Sequence, residues 1–505
     1  MPLVDITPPP GVVKPGTTYA AKGRWFSSLW VRWFEGVMQA IDGFEAVQIG
    51  VSPAQVDAGE RVSGTWGWKD NDDYALLAYG GPSLVKILRT GAEYDITPVG
   101  FTAGTESAVM ASGAYGTGVY SHGIYGVGDQ VVEQLVEAQS YSMDNYGEDL
   151  VFCAVSDGKL YYCDTDGNAG APAVATALTN APTGLIGVVV TPERFIMALG
   201  GGGDPRFIQW ADQDVNTDWT PTSANQAGDI RLPGKGTIMA GRRSQAETLV
   251  WTDADLFSIR YIAGTYVYQA VPVGAVGAIS RRAMAVVGSV AYWMSDRGFY
   301  VYNGYTEAIS SPLADHVFSN LNRNQASKIW CETRQEYGEI TWHYPSGGSD
   351  DCDRSVTFNY EEGHWFENTV ARTAGEDRGA IPYPVAFDPA GLLWRHEVGS
   401  NYGGASPTVV SGPMELGKGD QIMHVQTLLP DEKTLGDVDI YLLTGFFPTM
   451  PEGTPDEEVT HGPYTPANPT DVRLTARQIR LKIVQDQPGW RVGVLRADVE
   501  PGGLR

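Results

Sequence analysis

An all-β chain built on a β-propeller of about seven blades is the fold that this sequence predicts, and three observations predict it. A hairpin-like pattern, two short aromatic and branched strands around a Gly or Asp turn, recurs seven times. The copies begin near Tyr74 (YALLAYGGPSLVKI), Leu150 (LVFCAVSDGKLYYCD), Arg194 (RFIMALGGGGDPRFIQWAD), Thr248 (TLVWTDADLFSIRYI), Val290 (VAYWMSDRGFYVYNG), Glu339 (EITWHYPSGGSDDCDRSVTFNY) and Val385 (VAFDPAGLLWRHEVG). Their starts lie 42–54 residues apart, once a Gly/Tyr-rich stretch at 101–130 is taken out of the first step. Such a period, with several short strands per unit, marks a propeller. Finally, 61 Gly and 31 Pro are spread along the chain beside 25 Tyr and 14 Trp. Turn formers and residues that favour a pleated, half-buried surface are thus both abundant.

The totals agree with a folded chain. At 505 residues it is too long for one ordinary domain, but a propeller grows its core by repetition. A hydrophobic share of 43% describes a globular protein and not a disordered one. Thirty-five basic against 60 acidic side chains leave a formal charge of −25. An exterior this acidic repels phosphates and speaks against conventional DNA binding, although acidity also serves solubility alone. The start, MPLVDITPPPG, has neither a basic nor an apolar leader region, so no secretory signal is expected. No apolar run approaches the roughly 20 residues of a membrane span. Of four cysteines, Cys153 and Cys163 sit almost symmetrically about the Asp157-Gly158 turn. They are read as two buried thiols of a reducing compartment, with a cross-hairpin disulfide as the alternative.

Three regions follow along the chain. Residues 1–60 read as an N-terminal extended arm with the first strands: ITPPPGVV excludes helix, and KGRWFSSLWVRWFEG crowds Trp25, Phe26, Trp30, Trp33 and Phe34 beside Arg24 and Arg32. That segment is read as a strand pair with rings inward and guanidiniums in water; cation–π recognition is the alternative. Residues 61–404 are the propeller, carrying the insertion at 101–130, where Tyr115, Tyr120 and Tyr125 stand in a field of glycine. Dense glycine is costly to order, so this insertion is expected to be a surface loop ordered against a neighbour through its tyrosines. SSPLADHVFSNLN (310–322) predicts a helix with a Ser cap, Pro312 at its first position and Leu313, Val317 and Leu321 on one face. Residues 405–505 form a small sandwich-like β domain, with Ile479, Leu481 and Ile483 on one face and Trp490, Val492 and Val494 on another. The acidic, Pro-rich stretch 448–470 is expected to be an exposed loop.

Catalytic patterns are thin. There is no G-x-S-x-G elbow, H-E-x-x-H pair or G-x-x-x-x-G-K-[ST] loop. The seven histidines never fall within four residues of one another, which leaves no local metal motif. DTDGN (164–168) opens like a calcium loop but lacks the twelfth-position Glu, and a β-turn explains it. Asp residues concentrate in turns (SDG, TDAD, SDRG, GSDD), where they cap their own backbone. No enzyme activity, catalytic residue, cofactor or metal is expected.

Several segments together resemble one family. The opening ITPPPGVVKPGTTYAAKGRWFSSLWVRWFEGVMQAIDGF resembles the family's, with its PPG, KGRW and VRW(F/Y)EG. AEYDITPVG (92–100) is similar to a first blade ending, YGTGVY to a Gly/Tyr loop, and YSMDNYGEDLVFC to a W-S-x-D-N-x-G-E-D-L motif with Tyr141 in the aromatic place. The segment 191–232 is the longest match, and the ending RQIRLKIVQDQPGWRVGVLRADVEPGGLR resembles the closing strands, although Leu504 breaks the last pattern. The family that these segments resemble is that of the phage tail or packaged-DNA stabilisation proteins, which form the tail nozzle or hub of short-tailed phages. The resemblance implies a structural virion protein, assembled in the host bacterial cytoplasm into a six-membered ring below the portal and adaptor. Tail fibre, spike or needle proteins would be its other neighbours. The ring would enclose the DNA exit channel and help to retain packaged DNA without sequence-specific binding, and an acidic lumen would let a polyanion slide. A carbohydrate- or receptor-binding propeller and a propeller glycoside hydrolase remain the alternatives; the latter needs two carboxylates 5–10 Å apart.

Candidate subunit or partner contacts are Trp25, Trp30 and Trp33 in the arm, Tyr115, Tyr120 and Tyr125 in the insertion, and the 448–470 loop. Replacing the three tyrosines by Ala is expected to weaken assembly, read as loss of high-mass species in sedimentation. The thermal transition of the monomer should stay unchanged.

Overall fold

The computed structural model describes residues 3–50, 54–111, 134–167, 170–264, 266–415, 419, 421–431, 438–446 and 458–504. Seven four-stranded antiparallel sheets form the propeller. Six are built from consecutive strands: Gly64–Lys69 to Ala92–Asp95, Tyr141–Tyr146 to Thr176–Ala177, Gly187–Val190 to Gly228–Arg231, Ile238–Arg243 to Tyr268–Gly274, Met284–Val287 to Thr306–Ile309, and Trp330–Arg334 to His364–Asn368. The seventh takes Ala374–Glu376, Val385–Phe387 and Leu393–His396 from its own segment. Its fourth strand, Phe44–Ala46, comes from far upstream. First strands of successive blades are neighbours, and Ala374–Glu376 lies beside Gly64–Lys69, so the ring closes.

The hairpins visible in the sequence are the second and third strands of each blade, such as Ala75–Gly80 with Val85–Arg89 and Asp149–Ala154 with Leu160–Cys163. The second strand of each pair carries the clearest signal because adjacent blades cover both of its faces, and a strand covered twice becomes continuously buried; the third is half-buried at some positions. Ile196–Leu199, for instance, is buried at every position. Contacts between blades are specific as well as apolar. The Tyr141 ring lies against Gly64 and Gly80 of the first blade; a Cβ at Gly80 would stand 2.6 Å from its Cζ. The Tyr141 hydroxyl donates to the Gly81 carbonyl at 2.7 Å. One blade further, Ser142 Oγ donates to the Val188 carbonyl at 2.7 Å and Asp144 Oδ2 accepts from Val190 N at 2.8 Å.

The C-terminal region is a two-sheet sandwich. One sheet orders Leu3–Asp5, Leu495–Leu504, Gln421–Pro430 and Thr470–Ala476; the other orders Trp25–Leu29, Thr408–Ser411, Gln478–Val484, Asp439–Gly445 and Val459–Tyr464. Val425, Leu428 and Leu474 of the first pack with Leu442, Leu481 and Ile483 of the second. The same apolar cluster continues without a break into Phe299, Trp342 and Trp365 of the fifth and sixth blades. The first sixty residues are therefore shared out: one strand in each sandwich sheet and one in the seventh blade. Between these, Val31–Phe34 and Val37–Ala40 form a hairpin over Glu35 and Gly36. Both turn residues have positive φ (53° and 70°), the twist that a two-residue hairpin needs. Among the described residues no helix is long and apolar enough to cross a membrane.

Several local expectations are corrected. The predicted 310–322 helix is only Ala314–Ser319, because the Asn322 side chain accepts from Asn324 N and starts a separate 3-10 turn at Arg323–Lys328. Leu313, Val317 and Leu321 are still buried together. The two thiols Cys153 and Cys163 are buried and free, as expected: Cys153 lies opposite Leu160 and Cys163 opposite Leu150, a register that removes the alternative of a cross-hairpin disulfide. Part of the 448–470 stretch is a strand: Val459–Tyr464 pairs with Asp439–Gly445 at the edge of its sheet, where its exposed face and Pro463 are tolerated. Val494 leaves the face of Trp490 and Val492 and is exposed, since its N–H and carbonyl are both engaged by Asp431, at 2.8 and 3.1 Å. The insertion is framed by a two-stranded ribbon, Val109–Ala111 with Gln134–Val136.

Ring closure rests on the strand from the arm, anchored by Phe44 against Trp30, Trp394 and His396 and by Glu45, which accepts from Arg395 Nε at 3.1 Å. Phe44→Ala should lower the unfolding free energy by about 3 kcal/mol, as for other buried Phe truncations. Denaturant titration measures it.

Candidate functional site

The arm's tryptophans, expected at a partner surface, are in the core. Trp25 is 1% exposed and its Nε1 donates to the Pro8 carbonyl at 3.1 Å. Trp33 lies 6.1 Å from the Trp25 ring and edge-on to His364. Trp30 takes a left-handed backbone (φ 55°), which lets the chain leave a sandwich strand and enter the hairpin; its ring packs between Phe44 and Tyr402. Rings of this size bury most area when turned inward, so none of the three is free for a neighbour. Tyr115, Tyr120 and Tyr125 lie outside the described residues, as does 447–457 of the acidic stretch.

Sequence reasoning placed Arg32 in water, and the structure buries it. Arg32 Nη2 reaches Glu397 at 2.7 Å and Glu339 at 3.1 Å, and its guanidinium lies 3.7 Å from the Tyr337 ring centroid. The network extends through Arg334, which reaches Glu332 at 3.1 Å and Glu397 at 3.6 Å. His343 bridges to Glu332 at 3.0 Å and stacks on Trp330 with ring centroids 4.2 Å apart. Deeper in, Arg372 Nε donates to His396 Nε2 at 2.8 Å, which requires a neutral imidazole. This charged knot joins the arm to the sixth and seventh blades. Only the alternation of VRWF hinted at it, by putting Arg32 on the opposite face from Trp33.

Two guanidiniums here face three glutamates, and the carboxyl groups differ accordingly. Burial opposes ionisation of Glu332, yet Arg334 and His343 outweigh it and hold the carboxyl at about 2. Glu397 is likewise lowered against its burial by Arg32 and Arg334. Glu339 is left over: burial, aided by the charge of Glu397, pushes it up to about 7 despite Arg32. Burial also lowers His343 and His396, the latter further through Arg372.

A second polar region is the propeller's own channel, a cavity of about 420 Å³ to which all seven first strands contribute. Its wall mixes Thr65, Val188, Gly241 and Met284 with Asp144, Arg242, Arg243, Arg282 and Glu376. The channel glycines keep the wall close-packed: a Cβ at Gly241 would stand 3.1 Å from Val189 of the third blade.

No protein-family model and no curated protein matches the chain. Among solved structures, Hsv2 of Kluyvelomyces marxianus is similar over 52% of this chain and 72% of its own, with 8% identity and a TM-score of 0.32. The S511A mutant of puromycin hydrolase complexed with PGG is similar over 72% and 61%, with 14% identity and a TM-score of 0.38. Similarity at this level carries no functional information.

The knot makes stability depend on pH in a way that one substitution isolates. A carboxyl whose pKa rises on folding stabilises the fold below its free value of 4.5, and that contribution is lost as pH rises through about 7. Glu339→Gln removes this titration. Its unfolding free energy relative to the native protein should therefore rise between pH 5 and 8, by up to about 3 kcal/mol, measured by denaturant titration at each pH.

Proposed function

We propose that this protein is a structural subunit of a phage tail ring, a nozzle or hub of six copies attached below the portal and adaptor, through which packaged DNA leaves. The observation that carries the reading is where the residues of the family-like motifs are used. In KGRW, Lys22 pairs with Glu415 at 2.7 Å and Gly23 N donates to the Pro413 carbonyl at 3.1 Å, tying the arm to the sandwich. In VRWFEG, Arg32 ties the arm to the sixth and seventh blades. In SMDNYGEDL, Ser142 and Asp144 join the second blade to the third, and the Glu148 carbonyl accepts from Trp68 Nε1 of the first at 2.7 Å.

Residues so used hold large pieces in fixed relation, which is what a rigid ring subunit requires and what a hydrolase motif would not do. A sandwich and a propeller that share one apolar core move as a unit. The charge of −25 per chain, multiplied by copy number, suits a lumen that a polyanion must traverse without sticking.

Purified full-length protein, imaged by electron microscopy and weighed by sedimentation, should form closed rings of six 54.5 kDa chains with a lumen rich in Asp and Glu. A protein that stays monomeric both alone and with tail adaptor, or a ring with a basic lumen, would overturn the reading.

A further inference from the structure

We infer that the propeller channel of each subunit holds a binding site for a small phosphate-class oxyanion, built by Arg242 of the fourth blade and Arg282 at the start of the fifth. This site is separate from any lumen that a ring of subunits would enclose.

The cations along this channel are not alike. Arg243 has Asp144 at 3.7 Å, and Arg378 at the channel mouth pairs with Glu336 and, at 3.5 Å, with Glu397. Arg242 and Arg282 have no carboxylate within 4.0 Å among the described residues. Among the described residues, the one side-chain hydrogen bond of Arg242 runs from Nη1 to the carbonyl of its own neighbour, Gly241, at 3.1 Å. Arg282 uses Nη1 for two carbonyls, Ser63 at 2.8 Å and Thr373 at 3.1 Å, and leans on the Trp330 ring 5.6 Å away. Those anchors fix the guanidinium at the wall and leave its remaining N–H donors to the cavity.

Two neighbouring, half-buried cations without a directly paired carboxylate are unfavourable, and more conspicuous in a chain of charge −25. Burial, followed by the charges of Arg61 and Arg242, pushes Arg282 down to about 9, and burial also lowers Arg242. The nearby acids offset them only in part: Asp144 is shared with Arg243 at 3.7 Å, and burial pushes Glu376 up to about 7, so that it competes with an anion only once ionised. A tetrahedral oxyanion of two charges supplies what is missing: it neutralises both guanidiniums and accepts several of their forked N–H donors at once. The cavity, about 420 Å³, has room for it together with water.

The test is calorimetric titration of the full-length protein with inorganic phosphate at pH 7.5, chloride being adjusted to hold ionic strength constant. One saturable site per chain is expected. Arg242→Gln should weaken binding at least tenfold, and this side chain anchors nothing else, so the fold should survive. Glu376→Gln, which removes the competing carboxylate, should tighten binding several-fold. Absence of saturable binding in both the native protein and Glu376→Gln would overturn the inference. So would phosphate affinity that Arg242→Gln leaves unchanged in a folded protein.

Discussion

A ring of sheets has to be closed, and here closure depends on three residues from the other end of the polypeptide. Phe44–Ala46 completes the seventh blade by pairing with Leu393–His396. Without it that blade would present an open strand edge, the kind of template that sheet proteins avoid exposing. Because the closing strand is continuous with the arm, the same segment that seals the propeller also pairs with the sandwich at Trp25–Leu29 and Leu3–Asp5. Closing the ring and docking the second domain are thus one event. The loop-closure entropy it requires is offset by a core that runs from Phe299 and Trp365 into Val425 and Leu481.

Around that seam the protein places charge where a purely apolar joint would be simpler. Arg32, Arg334, Glu332, Glu339 and Glu397 are all removed from water. Burying an ion pair is a weak source of stability, but an unpaired buried charge is severely penalised. The network therefore tolerates one arrangement of arm against blades and rejects shifted ones. Register is what a strand pair with two-residue periodicity most easily loses, and Arg32, one residue from Trp33, fixes it. The same logic, inverted, applies in the channel, where Arg242 and Arg282 are held by carbonyl groups and have no carboxylate within 4.0 Å among the described residues.

Legibility of the fold followed burial. The second strand of each blade stood out because both of its faces are covered, so Leu150–Ala154 or Ile196–Leu199 carry an unbroken apolar signal, and its hairpin partner was found beside it. Outer strands such as Thr176–Ala177 and edge strands such as Val459–Tyr464 face water and read as loop. The tryptophans were legible as core from their crowding in a strand pair, yet their candidacy as contact residues did not survive, because ring density looks the same for a surface and for an interior. Of the charged knot only the place of Arg32 opposite Trp33 was legible, and not its partners: Glu339 and Glu397 are 58 positions apart in the chain and far from Arg32.

The amino-acid order alone determined the all-β class, the count of repeating units and the existence of a distinct C-terminal β region, since these follow from periodicity and turn chemistry over a few residues. Tertiary structure decided which strand seals the ring, that the arm belongs to three sheets, and which arginines are paired or left alone. Those outcomes depend on distances between segments hundreds of residues apart, and local propensity holds no record of them.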